Sequence, residues 1–172
     1  MHQDISTGKL VTEKIEETSG SIFFSLDDQY FFYSKLDEFH RPRKIFRHKI
    51  GGEVKNDELV FEEKSEAFTV GINLSSDEKY YFIVSSDHNT SEQYYFEVAE
   101  KNPTPKLIKK RKRGVIYSVN SWDEYFYCHT NDNAEDFKIE RCDDLSNQKW
   151  EIYIAAKDEA VSYTHLTLPT KA

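Results

Sequence analysis

The apolar positions of this chain fall into short aromatic runs, each led by a serine and an acidic turn. "SLDDQYFFY" begins at Ser25, "SSDEKYYFIV" at Ser75 and "SWDEYFYCH" at Ser121. Their aspartates, Asp27, Asp77 and Asp123, recur at a spacing of about 50 residues, which marks a repeat architecture. Runs such as Tyr30 to Tyr33 and Tyr80 to Val84 lack polar alternation, which predicts strands buried on both faces. No long stretch sets apolar residues at helical spacing, and Ala is scarce before position 155. The pattern predicts an all-β fold.

The likeness between copies extends to four strands in each. The first copy reads "GSIFFS", "YFFYSKL", "RKIFRHKI" and, after Gly51-Gly52, "ELVFEE". The second reads "FTVGINLS", "KYYFIVSS", "EQYYFEVA" and, after Pro103 and Pro105, "KLI". The third reads "GVIYSVNS", "EYFYCHT", "FKIERCD" and "KWEIYIA". A lone four-stranded sheet with two aromatic faces cannot bury them, so it must stack on neighbours. The expectation is a partial β-propeller of about three four-stranded antiparallel blades, residues 16–64, 65–110 and 111–157, plus part of a preceding blade. A β-sandwich with chance internal similarity is the alternative.

The two ends depart from the pattern. Residues 1–15 include "DISTGKLVTEKI", a hairpin around Thr7-Gly8 that reads as the outer strands of the preceding blade. Residues 158–172, with "VSYTHLTLPTKA", show no blade pattern and read as a non-native tail. Three blades are fewer than the four to eight of a closed propeller, so the chain reads as a fragment.

Composition sharpens this picture. The 11 Tyr and 12 Phe suit half-buried pleated surfaces and compensate for a hydrophobic fraction of only 38%. A net charge of -8 argues against a nucleic-acid surface. No apolar run of about 18 residues predicts a membrane span, and the polar N-terminus does not resemble a signal peptide. A soluble, cytoplasmic protein is expected. Cys128 and Cys142 fall in adjacent predicted strands, about equally far from the turn near Ala134. They read as thiols in a reducing compartment rather than a bridge. The six histidines are scattered, with no HExxH or Cys-x-x-Cys spacing, so neither metal nor cofactor is expected. His48 reads as a polar strand residue, and Trp122 and Trp150 as core or rim anchors of the third blade.

Taken in order, "SGSIFFSLDDQYFFYSKLDEFHRPRKIFRHKIGG", "LVFEEKSEAFTVGINLSSDEKYYFIVSSDHNTSEQYYFEV" and "RKRGVIYSVNSWDEYFYCHTNDNAEDFKI" resemble a propeller segment of oligopeptidase B-type enzymes. These belong to the prolyl oligopeptidase family of serine peptidases. The acidic run "EEK" and the "TSE" before a third strand are among the recognisable parts, and the resemblance spans about Asp4 to Ala155. It implies a cytoplasmic serine endopeptidase that cleaves short peptides after Lys or Arg. In such enzymes the propeller caps an α/β-hydrolase domain and limits substrates by size. There a Ser nucleophile, a His base and an orienting Asp act beside backbone amides that stabilise the oxyanion. None of the six glycines here builds the G-x-S-x-G elbow that such a nucleophile requires, so no catalytic residue carries over and the segment alone is expected to be inactive.

Loops that lead into the first strand of each blade share one face, which the resemblance turns toward the hydrolase domain and its chamber. Here they contain Glu16, Glu17, Glu66 and Arg113. Carboxylates there suit long-range attraction of short basic peptides, the partners such an enzyme takes as substrates. An ordinary solvated acidic loop accounts for the same residues. The run "KKRKR", Lys109 to Arg113, reads as an exposed connection between blades, against a localisation signal or phosphate patch. The alternative function is a propeller serving only as a protein-interaction scaffold. Against it, the Gly-His and Trp-Asp pairs of WD repeats are missing, since Trp122-Asp123 sits in a turn.

Overall fold

The computed structural model describes residues 2–3, 10–11 and 14–156. Within them the chain forms fourteen strands and a single 3-10 turn at Val54–Asn56. β1 (His2–Gln3) pairs with β2 (Leu10–Val11), as a hairpin requires. The turn expected at Thr7-Gly8 and the tail 158–172 lie outside the described residues. Three antiparallel sheets follow, each with its strands in chain order. The first holds β3 (Thr18–Phe24), β4 (Tyr30–Leu36), β5 (Pro42–Lys49) and β6 (Glu58–Glu62). The second holds β7 (Thr69–Leu74), β8 (Tyr80–Ser86), β9 (Ser91–Glu97) and β10 (Lys106–Lys109). The third holds β11 (Tyr117–Trp122), β12 (Tyr125–Thr130), β13 (Lys138–Cys142) and β14 (Glu151–Ile154). The architecture is that of a partial β-propeller. β7 packs on β3, β4 and β5, and β11 packs on β8 and β9, so the leading strand of each sheet meets the sheet before it.

The repeated serine and aspartate explain the turns that open the first two sheets. Ser25 Oγ donates to Asp27 Oδ1 at 2.6 Å and accepts the Tyr30 amide at 3.0 Å. Ser75 does the same with Asp77 at 2.7 Å and Tyr80 at 3.0 Å. Each aspartate also takes an amide two residues on, so side chains satisfy donors the strands leave free. The third copy is one residue shorter and turns differently. Asp123 (φ 48°) and Glu124 (φ 67°) are both left-handed between the paired Trp122 and Tyr125, a two-residue hairpin turn. Ser121 is thereby released from its own turn and donates across to Asp77 Oδ2 at 2.7 Å.

The core lies between the sheets. β8 alternates faces: Tyr81 and Ile83 join Phe32, Ile45, Val70, Ile72 and Phe96 against the first sheet. Phe82 points the other way and joins Ile108, Tyr117, Val119 and Phe126 against the third. Each such ring stabilises the fold by roughly 1.5–3 kcal/mol through burial. Double-faced burial therefore holds for β8. In β4 it is partial: Phe32 and Tyr33 are buried but Tyr30 and Phe31 only half so. Among the described residues only the middle sheet has a neighbour on both sides. The far faces keep Ile22, Phe24 and Leu59, and Tyr125 and Tyr153, exposed.

Two expectations are corrected here. Trp122 is 43% exposed, because strand alternation sets it with Tyr125 on the outward face and not with buried Tyr117, Val119 and Ser121, while Trp150 packs on the core as an anchor. β11 begins at Tyr117 rather than Gly114, because Gly114 (φ 79°) turns the chain into the strand.

Candidate functional site: the charged loop end of the sheets

Strict antiparallel order sends alternate connections to opposite ends. Residues 14–17, 63–68 and 110–116 lead into the first strands, and they share an end with 37–41, 87–90 and 131–137. Contacts confirm the grouping: Arg41 Nη1 donates to the Glu66 carbonyl at 2.9 Å, and Gly114 N to Thr90 Oγ1 at 3.2 Å. Glu16, Glu17 and Glu66 are therefore all at this loop end, and all are exposed. Two of them are already matched by cations. Glu16 Oε1 pairs with Lys14 Nζ at 2.6 Å, which holds its carboxyl below the ordinary range, and Glu17 Oε2 lies 3.3 Å from Lys35 Nζ.

The dominant feature at this end was not singled out from the sequence. Glu63, just past β6, and Glu92, in β9, are 6% and 5% exposed, and they come from the motifs "EEK" and "TSE". Arg111, from the middle of "KKRKR", lies between them. Its Nη2 is 2.6 Å from Glu63 Oε2 and 2.7 Å from Glu92 Oε2, and its Nε is 3.0 Å from Glu92 Oε2. The guanidinium also stacks over Phe68, 4.0 Å from the ring centroid. Ser85 Oγ donates to Glu63, and Tyr94 Oη to Glu92 at 2.9 Å. Burial raises both carboxyls, but the hydrogen bonds from Ser85, Tyr94 and Arg111 outweigh it, so both stay below the ordinary carboxylate range. One arginine thus ties the first sheet, the second sheet and the connection into the third.

This corrects the reading of the basic run as a solvated connection. Lys109 pairs with Glu140 at 2.8 Å and lies 4.3 Å from the Trp150 ring centroid, and Arg111 is only partly exposed. Lys110, Lys112 and Arg113 do face solvent. Beside the arginines a cleft of about 500 Å³ opens at the loop end between Phe68, Asp87, His88 and Arg113. A second cleft, about 630 Å³, opens at the opposite end between Asp27, Tyr30, Arg47 and Lys101.

His48 is also more than a polar strand residue. It is fully buried, with Nδ1 2.6 Å from Asp57 Oδ1, while Tyr33 Oη donates to Asp57 Oδ2 at 2.8 Å. The two cysteines are free and buried, and not directly opposed: Cys142 faces Phe126 and Cys128 faces Glu140. Burial pushes both thiols up to about 11. Among the described residues no three His, Cys, Asp or Glu gather as metal ligands, and no helix is long and apolar enough to cross a membrane.

Comparison with known proteins gives this arrangement a family. A sequence model described as "Prolyl oligopeptidase, N-terminal beta-propeller domain" matches residues 2–168, and so extends into the segment 158–172. "Protease 2" of Moraxella lacunata is 33% identical over 150 residues, covering 85% of this chain and 22% of that protein. "Dipeptidyl aminopeptidase BI" of Pseudoxanthomonas mexicana is 26% identical over 161 residues, 91% of this chain and 22% of the relative. Among solved structures, oligopeptidase B from Trypanosoma brucei in a closed form with covalently bound antipain superposes with a TM-score of 0.81. It is 27% identical, over 87% of this chain and 22% of that one. The chain thus spans about a fifth of the length of these relatives. Three meandering sheets stacked face to face, matched along nearly their whole length, show that the chain belongs to the N-terminal β-propeller domain family of the prolyl oligopeptidases.

Proposed function

We propose that this chain is the lid and size-filter segment of an oligopeptidase B-like serine endopeptidase that cleaves short peptides after Lys or Arg in the cytoplasm. The observation that carries this reading is the 33% identity to "Protease 2" over 150 residues, 85% of this chain. The chemistry belongs to an α/β-hydrolase partner domain, since these 172 residues contain no G-x-S-x-G. The segment's own part is steric. Sheets joined through buried aromatic cores and the Arg111 cluster make a stiff wall, and a stiff wall can exclude folded proteins from an enclosed site.

Glu16, Glu17 and Glu66 are assigned to the chamber side, where uncompensated carboxylate favours cationic peptides at a distance. The contribution of Glu16 and Glu17 is reduced by Lys14 and Lys35, so Glu66 is the freest of the three. In the full-length enzyme, Glu16→Lys with Glu17→Lys should lower kcat/KM for Arg-containing peptides, more at low salt than at high. An unchanged value removes the steering role. The wider reading has its own test: the full-length enzyme should cut short peptides after Lys or Arg and leave a folded protein with exposed arginines intact. Cleavage after other residues defeats the specificity, and digestion of the folded protein defeats the filter.

A further inference from the structure

The chain holds five consecutive basic residues, Lys109 to Arg113, at the end of β10 and in the connection to β11. Unfolded, they form its densest target for any endopeptidase that reads Lys or Arg. Such enzymes bind their substrate as an extended strand and seat the basic side chain in a pocket, so a bond is cut only where several residues come free of the fold. The backbone here is held from every side. Lys109 N and its carbonyl both bond Tyr117 Oη. Arg111 N donates to Glu92 Oε1 at 3.0 Å, and Val115 N to the Lys112 carbonyl at 2.9 Å. Gly114 N donates to Thr90 Oγ1 at 3.2 Å, while its carbonyl accepts Asn131 Nδ2 at 3.0 Å. Side chains add to this: Lys109 is held by Glu140, Arg111 by Glu63 and Glu92, and Lys112 by Asp132 at 2.8 Å. The tethers come from all three sheets, so the connection is held only while the sheets stay stacked.

We propose that the connection 109–113 is a latent cleavage site for Lys/Arg-directed endopeptidases, kept closed by sheet stacking through Glu92, Arg111 and Asn131. Parting of the sheets at this end frees the backbone of the run, so that Lys110 and Arg113, whose side chains already face solvent, can be read by the protease. Cleavage adds one water across the peptide C–N bond. The basic residue keeps a new carboxylate, its successor leaves with a new amino group, and nothing is oxidised or reduced. Nicking there breaks the covalent link between the second sheet and the third, and cannot be reversed by restacking.

The test is limited trypsin digestion of the full 172-residue chain, with cut sites read by intact mass. In the folded chain residues 109–113 should outlast a synthetic peptide of residues 105–118. Glu92→Ala should make this connection the first internal cut, at least about tenfold faster than in the parent chain, because a lost tether raises the population of the open form. If Glu92→Ala fails to fold, buried Arg47 is cut as well, and Asn131→Ala, which spares the Arg111 cluster, replaces it. Wild-type cleavage at 109–113 as fast as in the peptide overturns the proposal. So does resistance of both variants equal to wild type, or indiscriminate cutting of both, which would mean that the connection opens only with the whole fold. A further arm rests on the function proposed above: the full-length enzyme should cut the synthetic peptide of residues 105–118 and leave a folded, inactive Glu92→Ala copy intact. Failure to cut the peptide counts against the Lys/Arg specificity, and nicking of the copy against the size filter, while trypsin alone decides the latent site.

Discussion

Arg111 stands between two buried carboxylates that would repel each other without it. Replacing it with Met leaves Glu63 and Glu92 uncompensated, and breaking a buried pair of this kind costs about 3 kcal/mol. The loss should appear as a lower urea midpoint with an unchanged slope. The pH dependence should change sign as well. In the parent chain both carboxyls sit below their unfolded values, so their contribution is complete at neutral pH and is lost as pH falls below the ordinary carboxylate range, about 4.3. In Arg111→Met, burial is no longer outweighed and the folded carboxyls rise, so the variant should gain stability between pH 7 and pH 5 while the parent does not. Equal responses over that interval would refute this account. Tyr117 offers a second single-atom test. Its Oη accepts the Gln93 amide at 2.7 Å and bonds Lys109 N and O, bridging a strand pair of the preceding sheet. Tyr117→Phe keeps the ring in the core but orphans those groups, which should cost about 1–3 kcal/mol in denaturant unfolding.

At the scale of the strand, period-2 alternation decides what each side chain meets. The β12–β13 register sets Cys128 against Glu140 and Cys142 against Phe126, so the thiols are diagonal neighbours in a packed core. With both raised to about 11 by burial, neither is a thiolate at pH 8. An aromatic disulfide reagent should therefore label no cysteine in the folded chain and two after denaturation. Rapid labelling of the native state would show that the third sheet opens readily. The same alternation explains why "SWDEYFYCH" differs from its two relatives. Losing one residue in the turn removes the local partners of Ser121 and sends its hydroxyl to Asp77 of the preceding sheet. The repeat is kept in the strands, and the variation is spent on an inter-sheet bond.

Across the whole molecule, the middle sheet is covered twice and the outer two once among the described residues. Arg141 stacks between Tyr125 and Tyr153 on the far face of the third sheet, at 4.8 and 5.0 Å from their ring centroids, and Tyr127 meets Tyr153 at 5.4 Å. An aromatic face with no cover among the described residues favours association. The 172-residue chain should sediment as oligomers or aggregate at micromolar concentration, and Tyr125→Lys with Tyr153→Lys should reduce that tendency. A monodisperse monomer with a cooperative thermal transition would show that these faces are not sticky.

The sequence by itself determined the strands, their grouping in fours and the turn chemistry, because these depend on residues within a few positions of one another. Ser25, Asp27 and Tyr30 meet inside one turn, and the aromatic runs of β4 and β8 declare themselves without reference to anything distant. What lay beyond reach were the contacts across sheets. Nothing local says that Arg111 will settle between Glu63 and Glu92, residues 48 and 19 positions away, or that His48 will be sealed against Asp57. The motifs "EEK", "TSE" and "KKRKR" were each visible as separate charged patches. Their meeting was decided only when the sheets stacked, since a buried charge finds its partner by proximity in space and the spacing along the chain carries no record of it.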